Sequence, residues 1–327
     1  MGNRVLGDAQ VMSVGLGCMN LSHAYGTPIP KAAALNLLAE ASALGVNHFD
    51  TATLYGFGAN ERLLGEYIKP LRQRLFLASK CGMAGVDGKR VIDGRPATIR
   101  AQCEASLKRL QTDVLDLYYL HRKDPKVPIE DSVGALADLV TAGHIRHIGL
   151  SEISAATLAQ AQAIHPIAAV QNEYSLWSRH PELGLSRACA ASGTTLVAFS
   201  PLARGFLGGV IDLAALPAND IRLGMPRFQS PHWAQNQALY VAFAQLADAA
   251  EITPAQLALA WVLAQGQHVV AIPGTTHIPH LRANVAAATM VVDDAILVAA
   301  GRLINQETVA GPRYPQATLA EIDTEAF

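Results

Sequence analysis

Short apolar runs alternate along the chain with longer segments of mixed polarity. The short runs are almost continuously apolar, which is typical of strands buried on both faces of a parallel sheet. The longer segments carry apolar positions at helical spacing. Eight apolar runs are present, at residues 13–17, 46–50, 75–80, 115–121, 145–151, 168–172, 195–200 and 269–274. We therefore expect eight parallel strands separated by helices.

The helical segments have recognisable ends. The clearest lie at residues 31–45, 60–69, 96–110 and 130–143. Two of them end at Gly45 and Gly143, residues suited to the left-handed turn that closes a helix, and Pro96 opens a third. Most strand starts are about 20–40 residues apart, a spacing that fits βαβ units, and eight units predict an α/β fold closed into a (β/α)8 TIM barrel. A doubly wound open sheet is the alternative.

The stretch after the seventh strand, residues 201–235, departs from this rhythm. It contains several Gly and Pro residues and little periodicity, and a long loop of this kind in a compact domain is usually functional. Two further helical patterns, at residues 236–251 and 253–265, precede the last strand. Because no internal repeat, linker or low-complexity segment is evident, residues 1–327 are expected to form a single domain.

Composition argues against several classes of function. Half of the residues are hydrophobic, 16% are charged, and the formal net charge is −2, which disfavours a nucleic-acid partner. Residues 252–281 contain no Asp, Glu, Lys or Arg, but Pro and Gly interrupt them, so no membrane span is expected. The four cysteines form no CxxC pair, and the start has no apolar signal region. We expect a reduced, cytoplasmic chain without a metal site.

Polar residues stand at the carboxyl ends of the expected strands. In chain order they are Asp50, Lys80, His121, Ser151, the pair Gln171–Asn172, Ser200 and Gly274. Because these strand ends form the active face of a (β/α)8 barrel, we expect the side chains to converge on one polar pocket.

Four residues near these strand ends suggest acid–base chemistry. A tyrosine such as Tyr55 normally titrates near pH 10, and a cation such as Lys80 would lower that pKa. Asp50 would hold the lysine charged, and His121 would orient a carbonyl by hydrogen bonding. This set suits carbonyl reduction by a hydride donor. A structural Asp50–Lys80 salt bridge and a Schiff-base lysine, as in aldolases, are the alternatives.

At these residues the sequence closely resembles the aldo-keto reductase family. The resemblance covers most of the chain, in family order, through the motifs VNHFDTATLYGFGANERLLGE, LFLASKCG, LDLYYLHRKD, IRHIGLSE, VQNEYSLWSR, LVAFSPLARGFLGG and VVAIPGTTHIPHLRANVAA. The GLSE form resembles one branch of these NADP(H)-dependent barrel oxidoreductases. The resemblance implies a barrel with an N-terminal β-hairpin closing its base. It also implies a catalytic tetrad of Asp50, Tyr55, Lys80 and His121, with Tyr55 as general acid.

The resemblance further implies a nicotinamide dinucleotide bound without a Rossmann fold, in keeping with the absence of GxGxxG. Ser151 and Gln171 match the positions that hold the nicotinamide carboxamide, and Phe199 matches the ring that stacks on it. The other matching positions are Ser200, Leu202, Arg204, Gly205 and Leu207 around the pyrophosphate, and Gly274, Thr275, Thr276, His280, Arg282 and Asn284 after the last strand.

Two positions depart from the family pattern. Glu152 stands where many relatives have Asn after the serine of the fifth strand. The basic residues with which relatives that prefer NADP grip the 2′-phosphate are also missing after IPG, and Arg282 is expected to replace them. NADP(H) is therefore the favoured cofactor, and NAD(H) remains possible.

The expected substrate is a small carbonyl or alcohol compound. Possible pocket walls are Met19, Tyr25, Phe57, Trp177 and Trp233, and an apolar, aromatic pocket suits aldehydes or ketones. Residues 82–96 and the tail from residue 311 would shape the entrance, although the sequence suggests no mechanism for the GPRYPQ motif of that tail. We expect a carbonyl reductase. An alcohol or sugar dehydrogenase and a non-catalytic, cofactor-sensing subunit are the alternatives, and the oligomeric state is left open.

Overall fold

The computed structural model describes residues 2–86 and 89–327. The strands found there are β1 (Asn3–Leu6), β2 (Ala9–Met12), β3 (Leu16–Gly17), β4 (His48–Asp50), β5 (Phe76–Cys81), β6 (Met83–Val86), β7 (Lys89–Ile92), β8 (Leu115–Leu120), β9 (Ile145–Ser151), β10 (Ile167–Glu173), β11 (Thr195–Phe199) and β12 (Val269–Ala271). Eight of them pair in parallel in the order β3–β4–β5–β8–β9–β10–β11–β12. The sheet closes on itself where the Ala271 N–H donates to the Ser13 carbonyl at 2.9 Å. The predicted (β/α)8 barrel is confirmed.

Helices surround this barrel. In the described residues they are α1 (Lys31–Ala43), α2 (Ala59–Ile68), α3 (Pro96–Leu110), α4 (Ile129–Thr141), α5 (Ala155–Gln162), α6 (Leu185–Ser192), α7 (His232–Ala249), α8 (Pro254–Ala264), α9 (Ile278–Ala286), α10 (Asp294–Leu303) and α11 (Gln316–Leu319). Gly45 and Gly143 adopt left-handed φ angles of +89° and +76° just beyond α1 and α4, as expected of residues that end helices. Of the helices described, none combines the length and apolar character needed to cross a membrane.

The two strands that close the barrel are shorter than predicted. The first keeps only Leu16–Gly17, apart from an isolated bridge at Val14, and the last ends at Ala271 rather than residue 274. Pro273 lacks an N–H and cannot donate to the ladder. Its carbonyl instead accepts a hydrogen bond from the Gly17 N–H at 3.3 Å.

The hairpin of β1 and β2 covers the amino-terminal end of the barrel. Its Leu6 and Val11 are fully buried and pack in the same cluster as Phe76 and Leu117 of the barrel strands. The Thr195 hydroxyl also donates to a backbone carbonyl of β1 at 2.9 Å. Because apolar side chains fill this end, the polar strand ends of the opposite, carboxyl end are left to form a site.

The segment between β11 and α7 is less irregular than predicted. It contains four short 3-10 helices, Ala203–Gly208, Leu213–Ala215, Ile221–Gly224 and Pro226–Phe228. The helix expected at residues 236–251 begins earlier, at His232, directly after Pro231. The loop is therefore shorter than the sequence indicated and is partly ordered by these turns.

Candidate active site

Strand alternation places Lys80 and His121 at the carboxyl mouth of the barrel. Ala78 of β5 and Tyr119 of β8 are fully buried in the cluster inside the barrel. Side chains two residues apart on a strand point the same way, so Lys80 follows Ala78 toward the interior, and His121 follows Tyr119. Lys80 and Tyr119 are also direct partners across the two strands.

The Lys80 ammonium binds three residues that precede it by 25 to 30 positions in the chain. It forms a short ion pair with Asp50, donates to the Thr51 carbonyl at 2.8 Å, and donates to the Tyr55 hydroxyl at 3.2 Å. The other Asp50 carboxylate oxygen accepts from the Gln171 side-chain amide at 2.8 Å. Since an ammonium has three donors, all of those of Lys80 have an acceptor.

Burial dominates the titration of Tyr55. It raises the pKa of the phenol, although the nearby Lys80 ammonium acts in the opposite direction. The net lowering expected from the sequence is therefore wrong in direction, because desolvation of the phenolate outweighs the cation. Burial also disfavours the charged form of Lys80, but the charges of Asp50 and Tyr55 outweigh it, so the lysine pKa is raised. The pair consists of a protonated phenol beside an ammonium at neutral pH.

His121 is buried and uncharged. Burial first, and then the positive charges of Arg122 and Lys80, lower the pKa of its imidazole well below the usual value. Its ring lies edge-on to the Tyr55 ring, with centroids 5.9 Å apart. Its Nδ1 has no hydrogen-bond partner among the described residues. A neutral imidazole of this kind can donate one hydrogen bond without adding charge.

Ser151 and Gln171 lie side by side at the ends of β9 and β10, as direct partners in the sheet. The guanidinium of Arg122 donates to the His121 carbonyl at 2.6 Å and to the Ser151 hydroxyl oxygen at 3.3 Å. Sequence reasoning did not identify Arg122, although it directly follows His121 in the HRKD stretch. Its position next to a strand end is the sequence feature that could have identified Arg122.

The segment after β11 has an unusual backbone. Phe199 is half-buried at the end of the strand, and Ser200, Ala203 and Arg204 have left-handed φ angles of +49°, +50° and +58°. Such angles are uncommon for residues other than glycine. The neighbouring Gly205 (φ +93°) adopts its angle without that strain. The predicted pyrophosphate segment, with its Leu202 half-buried and Leu207 buried, thus follows a tightly turned path.

The Arg204 side chain is engaged within the protein. It donates to the Glu173 carboxylate and to the Tyr314 hydroxyl, each at 2.9 Å. Its guanidinium also lies 5.1 Å from the centre of the Tyr314 ring. Neither Glu173 nor Tyr314 was singled out from the sequence, because they lie 31 and 110 residues from Arg204.

Residues after β12 pack closely against the segment around β3. A Cβ atom at Gly274 would lie 2.5 Å from the Asn20 side-chain oxygen and 2.9 Å from a backbone carbonyl, so only glycine fits there. Asn284 is buried, and its side-chain oxygen has no partner in the part of the chain that the structure describes. Arg282 is exposed and donates to Glu40 of α1 at 2.7 Å.

The start of α9 is polar and open. Thr275 is buried and its hydroxyl accepts from the His277 N–H at 3.1 Å, whereas Thr276 is half-buried. His277 and His280 are exposed, with ring centroids 5.2 Å apart, and His277 gives α9 no side-chain cap. Within residues 2–86 and 89–327, no group of three or more His, Cys, Asp or Glu side chains is arranged to hold a metal ion.

Two of the predicted pocket walls lie near Tyr55. Met19 packs against the buried cluster that contains Tyr55. Phe57 is 57% exposed, and its ring and that of Tyr55 each lie 6.2 Å from the ring of His23. Phe57 also has a left-handed φ of +51°. Met19 and Phe57 therefore lie in the neighbourhood of the Tyr55 ring.

The other three predicted walls pack beneath the loops. Trp177 stacks on Phe206 at 4.2 Å and is almost fully buried. Trp233 stacks on Phe228 at 5.4 Å. Tyr25 is half-buried, and the guanidinium of Arg222 lies 5.3 Å from its ring. Their contacts order the segment between β11 and α7.

Comparison with known proteins gives consistent neighbours. The chain is 42% identical over 308 residues to "Probable aldo-keto reductase 1" of Glycine max, which covers 93% of this chain and 89% of the relative. It is 39% identical over 327 residues to "Aldo-keto reductase yakc [NADP(+)]" of Schizosaccharomyces pombe, with 98% and 96% covered.

Solved structures extend the likeness to the fold. Glycerol dehydrogenase AKR11B4 from Gluconobacter oxydans superimposes with a TM-score of 0.85 at 27% identity, over 95% of this chain and 97% of that one. An aldo-keto reductase from Klebsiella pneumoniae in complex with NADPH gives 0.73 at 27%, over 99% of both chains. The model of the aldo/keto reductase family matches residues 13–297. With its barrel and the Asp50–Tyr55–Lys80–His121 cluster, the chain belongs to the aldo/keto reductase family.

Proposed function

We propose that the chain is an NADP(H)-dependent oxidoreductase that reduces aldehyde or ketone carbonyls to alcohols, with Tyr55 as general acid. The observation that carries this proposal is the buried Tyr55 hydroxyl, 3.2 Å from the Lys80 ammonium. A phenol with a raised pKa keeps its proton at neutral pH, and the adjacent ammonium stabilises the phenolate that remains after the proton has left.

Different side chains orient and protonate the carbonyl oxygen of the substrate. The neutral His121 imidazole donates a hydrogen bond that orients this oxygen, and Tyr55 gives it a proton as negative charge develops. Asp50 keeps Lys80 charged and fixed. NADP(H), when bound, supplies the hydride. Met19 and Phe57, which lie near Tyr55, form an apolar approach that suits a carbonyl compound.

Ser151 and Gln171 together offer one hydrogen-bond donor and one acceptor, which fits a carboxamide. A guanidinium has only donors, so the Ser151 oxygen accepts from Arg122 and its own hydrogen is free to donate to a carbonyl oxygen. The Gln171 amide nitrogen is used by Asp50, which leaves its oxygen to accept from an amide NH2 group. We infer that these two residues hold the nicotinamide carboxamide.

The segment after β12 fits an adenosine phosphate. The unpartnered oxygen of buried Asn284 suits the amino group of adenine. The uncapped start of α9, with His280 beside it, suits an anion such as a 2′-phosphate. Arg282 would reach this phosphate only by leaving Glu40. The NADP named for the Schizosaccharomyces relative and the NADPH bound by the Klebsiella structure also support NADP(H) over NAD(H).

Three alternatives are less well supported. Alcohol oxidation, suggested by the glycerol dehydrogenase neighbour, needs a Tyr55 phenolate as base, and the raised pKa disfavours this form near neutrality. A Schiff-base role needs a free lysine, whereas Lys80 is paired with Asp50. A cofactor-sensing subunit would not need the complete tetrad.

We also propose one domain over residues 1–327. The sheet closes only when β3, near the start, meets the segment around Ala271. The family-matched region therefore cannot be divided without opening the barrel.

The test is oxidation of NADPH and NADH with a panel of aldehydes and ketones. Tyr55→Phe should lower the reduction rate by about 10²–10⁴-fold, the usual worth of a general acid, and should still bind NADPH. The matched control is Tyr67→Phe, which loses a hydrogen bond to Ser42 between α1 and α2 and has no contact with the Tyr55 hydroxyl. A Tyr55→Phe enzyme as fast as Tyr67→Phe, or a wild-type protein without turnover, would contradict the proposal.

A further inference from the structure

The tail segment, residues 311–325, carries the GPRYPQ motif and lies along the carboxyl face of the barrel. The Asp323 N–H donates to the Glu152 carbonyl at 3.0 Å, and the Asp323 carboxylate pairs with Lys123 at 3.1 Å. Glu321 forms an ion pair with Arg90 of β7. The tail segment is thus attached to the edge of the site described above, and that site leaves its Arg313 and Tyr314 without a role.

Arg313 is paired with the residue that follows Ser151. Its guanidinium lies 2.9 Å from the Glu152 carboxylate, and both side chains are almost completely buried. The Glu152 carboxylate also accepts from the Glu173 N–H at 2.8 Å, which links β9 to β10. A carboxylate in this position needs a cation, because an unpaired buried charge is very costly. Arg313 supplies the cation from the tail segment.

Tyr314 completes the cluster on the other side. Its hydroxyl accepts from Arg204, and the same guanidinium pairs with Glu173. Burial alone would raise the pKa of the Glu173 carboxyl, but Arg204 and Arg313 lower it to about 2. The cluster therefore contains two buried carboxylates and two buried guanidinium groups, joined by one tyrosine.

Backbone strain coincides with this cluster. Glu152 has a left-handed φ of +53°, and so do Ser200, Ala203 and Arg204 in the segment after β11. Non-glycine residues keep such angles only where their surroundings hold them there. Glu152 adjoins Ser151, and Arg204 lies within the proposed pyrophosphate segment. The charged contacts thus hold the two strained segments that shape one half of the dinucleotide site.

We infer that Arg313 and Tyr314 are positioning residues of the dinucleotide site. By holding Glu152 and Arg204, they fix Ser151 and the backbone of residues 200–207 in the shape that takes the nicotinamide and pyrophosphate half of the cofactor. The inference rests on the proposed binding of NADP(H). It also gives Glu152, the departure from the family pattern, a partner in the same chain.

The test compares binding of the whole cofactor with binding of its adenosine half. Tyr314→Phe removes only the hydroxyl that accepts from Arg204, and Tyr67→Phe serves as the control at a separate hydrogen bond. Binding of NADPH and of adenosine 2′,5′-bisphosphate is measured by calorimetry, together with the melting temperature of each variant. Tyr314→Phe should weaken NADPH binding by about tenfold, the lower end of the range for a lost hydrogen bond to a charged group. Binding of adenosine 2′,5′-bisphosphate, for which we propose contacts only with the segment after β12, should change less than about twofold.

A second pair of variants separates an effect on cofactor binding from a loss of folding. Arg313→Met leaves Glu152 unpaired, whereas Glu152→Gln/Arg313→Met removes both charges and should fold more stably than the single variant. The double variant should also bind NADPH more weakly than wild type, with adenosine 2′,5′-bisphosphate binding retained. Equal NADPH affinity in wild type, Tyr314→Phe and the double variant would overturn the inference. So would equal weakening of both ligands. A wild-type protein that binds neither ligand would instead overturn the proposed function and the inference with it.

Discussion

Replacing Lys80 by methionine removes the cation on which the proposed proton transfer depends. The ammonium lies 3.2 Å from the Tyr55 hydroxyl, and both groups are buried. At that distance, and with an effective dielectric constant of about 20, its attraction for a phenolate is about 5 kcal/mol. Since about 1.4 kcal/mol corresponds to a factor of ten in rate, Lys80→Met should slow carbonyl reduction by roughly 10³- to 10⁴-fold.

The assay is kcat for reduction at neutral pH, together with the pH profile of alcohol oxidation. Without the cation the phenolate is harder to form, so the alkaline rise of the oxidation profile should move to higher pH in Lys80→Met. Lys31→Met is the control, because it removes an exposed ion pair with Glu66. Asp50→Asn/Lys80→Met separates loss of the cation from the cost of leaving Asp50 unpaired. A folded Lys80→Met enzyme that binds NADPH, reduces substrate within tenfold of wild type and keeps its pH profile would refute the reasoning.

Two further outcomes follow from buried or paired charges. Burial lowers the pKa of His48 to about 4, so the unfolded state, with a histidine pKa near 6.5, binds more protons between these values. The contribution of His48 to the free energy of unfolding should therefore be constant above pH 6.5 and fall by about 3 kcal/mol on acidification to pH 4. Urea unfolding of His48→Leu should show a correspondingly weaker dependence of this free energy on pH. The same pH dependence in His48→Leu and wild type would contradict the prediction. Glu40→Gln should free Arg282 and strengthen NADPH binding relative to NADH binding by a few-fold. Arg282→Ala should weaken NADPH binding relative to NADH binding. Equal changes in the affinities for both cofactors would show that Arg282 does not bind the 2′-phosphate.

The fold could be predicted wherever burial leaves a local pattern. Residues 145–151 match β9 at both ends, and residues 96–110 match α3. Barrel closure was predicted only from the number of strands, because the contact that closes the sheet joins Gly15 to Ala271 across most of the chain and leaves no local pattern. The lengths of β3 and β12 depend on that pairing and on the missing N–H of Pro273, neither of which leaves a periodic signal.

Part of the site could be predicted for the same reason. Asp50, Lys80 and His121 lie at or directly beyond strand ends, and a strand end is a local feature. The direction in which the Tyr55 pKa shifts could not be predicted. This shift depends on how completely the phenol is buried, which no residue spacing reveals. Trp177 shows the same limit, since its stacking partner Phe206 comes from a different loop.

The charged cluster shows why the tail segment was the hardest part of the site to interpret from sequence. Glu152 and Arg313 are 161 residues apart, and each is costly to bury without the other. The strained φ angles of Glu152 and Arg204 add a cost that only their surroundings can offset. A core assembled for stability alone would replace such a pair with apolar side chains, often without loss. We therefore attribute the pair to the geometry it imposes on Ser151 and residues 200–207. Variants that remove both charges, or only the Tyr314 hydroxyl, should accordingly lower dinucleotide affinity more than they lower the melting temperature.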